Sequence, residues 1–280
     1  MLIASWNVNS IRSRQEQVMK WIEINNPDVL CLQETKVQDD LFPREIFEEK
    51  GYSIASYGQK SYNGVAIISK YPIDDIRKGF CSELNHNQSY LELDKQKRII
   101  SALINGIRII NVYVPNGSEI NSEKYSYKIN WIKKFKKYLE SQEKRGESTC
   151  IAGDFNIAPE ARDIYDPKKW GKNIMSSEEE ILIFKDSISK RFKDSFRIFE
   201  NATGFWSWWD YRNRSFELNR GWRIDHIYIS TDLRNSITSA FIDKSPRGDI
   251  KPSDHAPIAL NLELNNRLTT DDDDFFDIFT

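Results

Sequence analysis

Cysteine is nearly absent from this sequence: three residues in 280, with no C-x-x-C pair among them. An odd count without pairing excludes a disulfide framework and argues against a zinc site. Cys31 in "DVLCLQ" and Cys150 in "STCIAGD" lie in apolar, strand-like runs and read as small core residues, whereas Cys81 falls in a loop-like stretch. Histidine is as scarce, with three residues and no H-x-x-x-H spacing, which again disfavours zinc. No apolar run is long enough to span a bilayer, and "MLIASWNV" lacks the basic start of a signal peptide. No membrane association is expected, and a reducing cytoplasm is the expected compartment. Internal repeats are missing, and no linker divides the chain before residue 265. The expectation is one domain over residues 1–264, large enough to bury a core without staples, and a separate tail over 265–280.

Charge of one sign is also lacking, since the overall balance is −2. That figure conceals an asymmetry. Residues 265–280 hold five aspartates and one arginine, so removing them leaves a mildly basic body of about +2. A nucleic-acid surface would have to come from local clustering rather than from net charge.

What is present is an alternation of strands and helices. "LIASWNV", "DVLCLQ" and "GVAIIS" read as strands, and "RIISALINGIRIINVYV" (98–114) as two strands joined by Asn105-Gly106, a strong hairpin signal. "SRQE" (13–16) reads as a capping box opening a helix with Val18, Trp21 and Ile22 on one face, and "SEEE" (177–180) as a second box leading into Ile181, Phe184, Ile188 and Phe192. Tyr125, Ile129, Ile132, Phe135 and Leu139 follow helix spacing; Lys133, Lys134, Lys136 and Lys137 fall outside that stripe and read as a solvated face. "TCIA", "RIDHIYIS" and "APIALNLEL" supply the last strands. Hairpins mixed with helices favour two packed sheets with helices outside.

Polar residues gather where these strands open or close. Asn7 ends the first strand and Glu34 follows the second; Tyr113 and Asn116 flank "NVYVPN"; Asp154 and Asn156 follow "TCIAG"; Asp225 sits in "WRIDHIYIS"; Asp254-His255 precede the last strand. Each has a plain structural reading. Asn and Asp favour turns, Asp154-Phe155-Asn156 can cap a loop, and Asp225 can pair with Arg223. Together they make one constellation only if the strand ends converge. Carboxylates on rigid strand ends suit a hard cation such as Mg²⁺, and an imidazole held by a carboxylate suits the charge that develops on a phosphoryl oxygen. Such a set is suited to phosphodiester hydrolysis.

The stretches "SWNVNSIRSR", "PDVLCLQETKVQDDLFP", "NGVAIISK", "NVYVPNG", "AGDFNIAP", "DSFR", "SWWDYR", "NRGWRIDHIYIS" and "KPSDHAPI" run in order from residue 5 to 258. With them the chain resembles the exonuclease III family of AP endonucleases, within the endonuclease/exonuclease/phosphatase superfamily. The resemblance implies a four-layered α/β sandwich, two mixed β-sheets flanked by helices as in deoxyribonuclease I. It implies Mg²⁺-dependent cleavage, with Mn²⁺ as a substitute, 5′ to abasic sites in double-stranded DNA, and 3′-phosphodiesterase, 3′-phosphatase and 3′→5′ exonuclease action on blocked or free 3′ ends. By matching motif, Glu34, Asn7 and Asp254 belong to the metal side. Asp154 activates water, Asn156 orients the substrate, Tyr113 contacts the scissile phosphate, and His255, oriented by Asp225, stabilises the pentacovalent state. Asn116, Trp208 and Arg212 fall on the DNA side.

"FWSWWDYRNRSFELNRGW" (205–222) interleaves four tryptophans with arginines, a composition suited to stacking beside a lesion. The resemblance places Trp208 in a pocket that excludes normal nucleotides by size, while Trp206, Trp209 and Trp222 read equally well as core. Two parts depart from the family: residues 160–177, which match only loosely, and the tail. The rival readings are a superfamily phosphodiesterase or phosphatase acting on RNA, lipid or inositol phosphates, and a catalytically silent DNA-binding scaffold. A monomer is expected. The tail "TTDDDDFFDIFT" reads as a solubilising end, as a docking peptide for a protein partner resembling the tails of bacterial single-stranded-DNA-binding proteins, or as a self-inhibitory segment.

Overall fold

The computed structural model describes residues 1–84, 86–188 and 191–264. In chain order the elements are β1 (Leu2–Asn7), α1 (Ile11–Asn25), β2 (Val29–Gln33), α2 (Glu45–Glu48), β3 (Ser53–Tyr57), β4 (Val65–Ser69), β5 (Asp74–Lys78), α3 (Gln88–Asp94), β6 (Ile99–Ile104) and β7 (Ile107–Tyr113). There follow α4 (Glu123–Arg145), β8 (Thr149–Asp154), α5 (Pro167–Trp170), α6 (Glu178–Ile188), β9 (Phe192–Asp194), α7 (Phe196–Phe199), β10 (Asp225–Ser230), β11 (Ile237–Ile242) and β12 (Ile258–Leu262). They form two mixed six-stranded sheets, ordered β11-β12-β1-β2-β4-β3 and β5-β6-β7-β8-β10-β9.

The strand periodicity of two divides the apolar side chains between three packing layers. Ile3, Val29, Cys31, Ile109, Cys150, Ala152 and Leu260 meet between the sheets. Their neighbours of opposite parity point outward: Ala4, Trp6, Leu30 and Leu32 pack with Trp21 and Ile22 of α1, and Ile110, Val112 and Ile151 pack with Trp131 and Phe135 of α4 and Phe184 of α6. The result is the expected four-layered sandwich, helix, sheet, sheet, helix. Cys31 and Cys150 are the buried core residues they were read as, and burial raises both thiols.

Local signals fare unevenly. Asn105 and Gly106 both take positive φ, the conformation a two-residue hairpin turn requires, and join β6 to β7 in direct register. The box at 177–180 closes as expected, with Ser177 N–H donating to Glu180 Oε2 (2.9 Å) and Glu180 N–H to Ser177 Oγ (3.3 Å). Phe192, expected on the same helix, instead opens β9, where it pairs with Ser230 of β10. The box at 13–16 does not open its helix. α1 begins three residues earlier, with Ser10 and not Ser13 at its N-cap, because Ser10 and Ile11 donate their backbone N–H groups to the carbonyls of Glu34 and Thr35 at the exit of β2. A tertiary contact there replaces the side-chain cap.

The connections bring six strand ends to one edge. β1, β2, β7 and β8 finish there, and β10 and β12, which run antiparallel to their neighbours, start there. Among the described residues no helix is long and apolar enough to cross a membrane. The tail lies outside the described residues; Leu262, just before it, pairs with Met1 at the opposite end of β1 from Asn7.

Candidate active site

Register alone sets Tyr113, Asp154 and Asp225 side by side, because β7, β8 and β10 pair as Tyr113 with Asp154 and Asp154 with Asp225. Opposite them, Asn7 closes β1 and Glu34 follows Gln33 of β2. Asn7 ties the two sheets together: its Nδ2 donates to Glu34 Oε1 (3.0 Å) and to Asp154 Oδ2 (2.9 Å). Its oxygen accepts from the Asn9 N–H, so Asn7 spaces the two carboxylates and does not offer them an acceptor. Glu34 adopts φ 50° and Asn156 φ 49°, left-handed conformations that surrounding contacts must enforce.

His255 sits at the entrance to β12 with its Nδ1 2.9 Å from Asp225 Oδ2 and its Nε2 3.8 Å from Asp154 Oδ2. The alternative pairing of Asp225 with Arg223 is not made, since Arg223 turns to Asp163 (2.7 Å) and Asp194 (2.7 Å). Asn156 donates its backbone N–H and its Nδ2 to Asp154 (2.8 and 3.1 Å), and Asn116 Nδ2 donates to Asn156 Oδ1 (2.9 Å). Asp254 is committed to Trp208 Nε1 (2.9 Å) and Asn9 Nδ2 (3.0 Å). It therefore stands between the carboxylate cluster and the tryptophan.

The electrostatics divide the cluster into unlike members. Burial dominates at Asp154 and pushes it up to about 7, with the Asp225 charge adding and the His255 charge opposing. Burial alone would discharge His255, but Asp225 and Asp154 outweigh it and push the imidazole up to about 10, so it holds the proton near neutral pH. His226, equally buried but beside Arg223, falls to about 4 and stays neutral while its Nε2 contacts the Ile157 carbonyl (2.9 Å). At Glu34 burial is outweighed by the Lys36 ammonium (2.9 Å) and the Asn7 amide, which hold the carboxyl below its ordinary range. Burial, then Glu34, raises Tyr113, which remains a protonated phenol able to donate.

A divalent cation fits this arrangement. Asp154 is 1% exposed and faces no cationic side chain closer than the His255 ring, a negative charge short of positive partners. Joined to Glu34 through one amide, it offers an all-oxygen donor set suited to a hard ion. Asp154, Asp225 and His255 also bring one ligand atom each within 4.8 Å of one another. Yet His255 is already engaged with Asp225 and charged, and an imidazolium repels a second cation. The Glu34 side is the better cradle.

The pattern of the endonuclease/exonuclease/phosphatase family matches residues 4–255. The chain belongs to that family. It is 37% identical to the exodeoxyribonuclease III of Haemophilus influenzae over 270 residues, 92% of this chain and 98% of that one. A 3′-phosphatase from Neisseria, solved with a product DNA hairpin, superposes with a TM-score of 0.88 at 35% identity, covering 94% of this chain and all of that one. An AP endonuclease from Archaeoglobus fulgidus superposes at 0.87 with 36% identity and the same coverage.

Beside the carboxylates this family member carries a groove of about 860 Å³, lined by Asn116, Trp170, Met175, Trp208, Arg212 and Trp222 among others. Trp206, Trp209 and Trp222 are buried, as the core reading had it, whereas Trp208 is half-exposed and pairs through its backbone with both Trp222 and His255. Arg212 is exposed and ion-paired to Asp210 (2.8 Å).

Several partners were not legible in the sequence. Ser207 donates to Asp225 Oδ2 (2.6 Å) and accepts from the backbone of Ile224 and Asp225, fixing that carboxylate. Asn9 bridges toward Asp254, and Lys36 pairs with Glu34. Ser207 and Lys36 did lie inside the motifs "SWWDYR" and "QETK", and their polarity beside predicted site residues was the available signal.

Proposed function

We propose that this family member is a DNA repair nuclease that hydrolyses the phosphodiester 5′ to abasic sites, with 3′-phosphatase, 3′-phosphodiesterase and 3′→5′ exonuclease action, as a cytoplasmic monomer. The observation that carries the reading is the convergence of Asp154, His255-Asp225 and Glu34 on one sheet edge beside a tryptophan-lined groove. The names of its relatives favour DNA over RNA, lipid or inositol phosphates. Asp154 takes the proton from a water that attacks phosphorus. The bond from phosphorus to the 3′ oxygen breaks, and that oxygen leaves with a proton from solvent as a 3′-hydroxyl. Charged His255, oriented by Asp225, meets the charge on the phosphoryl oxygens. Tyr113, Asn156 and Asn116 hold those oxygens in place. Glu34, with Asp154 beside it, would hold Mg²⁺ or Mn²⁺, which when bound supplies Lewis-acid stabilisation of the developing charge. Asn7 and Asp254 support the metal side, Asp254 by linking it to Trp208. The product end tests this polarity: a nick that a DNA polymerase extends without processing agrees, and an end that cannot be extended contradicts it.

Trp208 and Arg212 bear on lesion selection more than on chemistry. Trp208→Ala should lose roughly 1–3 kcal/mol of stacking and slow the abasic reaction more than removal of a 3′-phosphate, which needs no displaced sugar. Steady-state kcat/KM on both substrates checks this. An equal loss on the two contradicts it.

For the tail we favour a protein partner. β12 runs away from the site edge, and Leu262 N–H donates to the Met1 carbonyl at the far end of β1. Deleting residues 269–280 should leave cleavage kinetics unchanged and abolish co-purification of the partner. Tighter, more salt-sensitive DNA binding would indicate self-inhibition instead.

A further inference from the structure

Lys128 occupies a place the α4 pattern reserves for apolar residues. It lies on the buried stripe with Tyr125, Ile129, Ile132 and Phe135, and it is 0% exposed. Its ammonium has three donors and three acceptors: Glu180 Oε1 at 2.5 Å, the Asn156 carbonyl at 2.7 Å and the Asn116 carbonyl at 3.2 Å. Gly117, at φ 88°, makes room for the stem, since a Cβ there would lie 3.0 Å from Lys128 Cδ. Glu180, also fully buried, accepts from Met175 N–H (3.1 Å), Ser177 N–H (2.9 Å) and Ser177 Oγ (2.7 Å).

This pair therefore grips two strained residues on two loops. Asn156 at φ 49° is held through its carbonyl by Lys128, and Met175 at φ 71° through its N–H by Glu180. The loops are further tied by Ala158 N–H to the Met175 carbonyl (2.7 Å) and by Asn116 Nδ2 to Met175 Sδ (3.7 Å). A left-handed conformation at a non-glycine residue persists only where its surroundings over-determine it. Burying two charges is also a poor route to stability, since well-packed apolar replacements are commonly neutral or better. The placement of the pair matches a geometric task more closely than a stabilising one.

We propose that the buried Lys128–Glu180 pair is a positioning device that sets the turnover of the site by holding Asn116 and Asn156 in register with Asp154 and by fixing the Met175 wall of the groove. Neither residue touches substrate; both act through the loops they hold. The inference rests on the nuclease reading, which cleavage by the unaltered protein tests separately.

The experiment compares Lys128→Met with the double variant Lys128→Met/Glu180→Met, at a temperature where circular dichroism shows each fully folded. The single change strands the Glu180 carboxylate and should lower Tm. The double change removes both charges and should recover part of the lost Tm, since the buried Met175 and Ser177 N–H groups that Glu180 satisfies stay unpaired. It should still lose about 10²-fold in kcat on both an abasic duplex and a 3′-phosphate end, as displaced catalytic groups do, with KM little changed. A purely structural pair would behave differently: kcat would return with Tm, and that result overturns the proposal. If the double variant does not fold, Lys128→Met alone, assayed well below its Tm, takes its place, because it removes both carbonyl contacts. Reduced kcat with unaltered DNA binding in that variant supports the proposal, and kcat equal to the unaltered protein's overturns it.

Discussion

Asp154→Asn should slow single-turnover cleavage of an abasic duplex by at least about 10²-fold, the contribution of a positioned proton acceptor, and leave DNA binding intact or tighter. The substitution keeps side-chain size and one oxygen for the Asn156 N–H, now 2.8 Å away. It removes the acceptor for the water proton and the charge that burial makes costly to carry. It also sets an amide beside the Asn7 and Asn156 donors that Oδ2 now satisfies, so a small loss of stability accompanies the kinetic one. Removing a negative charge from a place that receives phosphate favours DNA binding, and binding is measured with Mg²⁺ present and in chelator so that loss of a metal donor at Asp154 shows separately. Binding by anisotropy and cleavage by rapid quench separate the two effects. A near-normal rate would mean that another acid takes the proton.

The second large effect is a failure of additivity. His255→Ala should cost between about 10² and 10³ in rate, the range for removing one positioned donor to developing negative charge. Asp225→Asn should cost a comparable amount, because Asp225 is what keeps His255 charged and oriented, through the Oδ2 that lies 2.9 Å from Nδ1 and that Ser207 Oγ also holds (2.6 Å). Once His255 is gone, Asp225 has little left to orient. The double variant should then be no more than slightly worse than the worse single one. Additive losses would mean that the two residues serve different steps.

Much of this site was readable because its strands are central and apolar. Buried runs such as "DVLCLQ" and "TCIAG" announce themselves, and polar residues placed at their ends stand out against them. The missed elements are of another kind. β5, "DDIRK", is an exposed, charged edge strand whose composition suppresses unwanted pairing and hides its periodicity. β3, β9 and β11 are short or flank the sheets, and β11 reaches β12 through a shifted register that no local signal encodes. The start of α1 was misplaced for a related reason: the Glu34 and Thr35 carbonyls, just past β2, cap it across a gap in sequence. Nothing in the sequence singles out Lys128, and only the packed structure puts its ammonium between Glu180 and two loop carbonyls. The pairing of Asp225 was likewise undecided until the structure sent Arg223 to Asp163 and Asp194.

The measurement that bears most directly on the whole account is cleavage of a duplex carrying one abasic analogue, beside an undamaged duplex and one ending in a 3′-phosphate, with Mg²⁺ present and again after chelation. The account predicts a single nick 5′ to the analogue and release of the terminal phosphate, both lost on chelation and restored by added Mg²⁺ or Mn²⁺, with the undamaged interior left uncut. Equal cutting of damaged and undamaged interiors, or cleavage that persists in chelator, would contradict it.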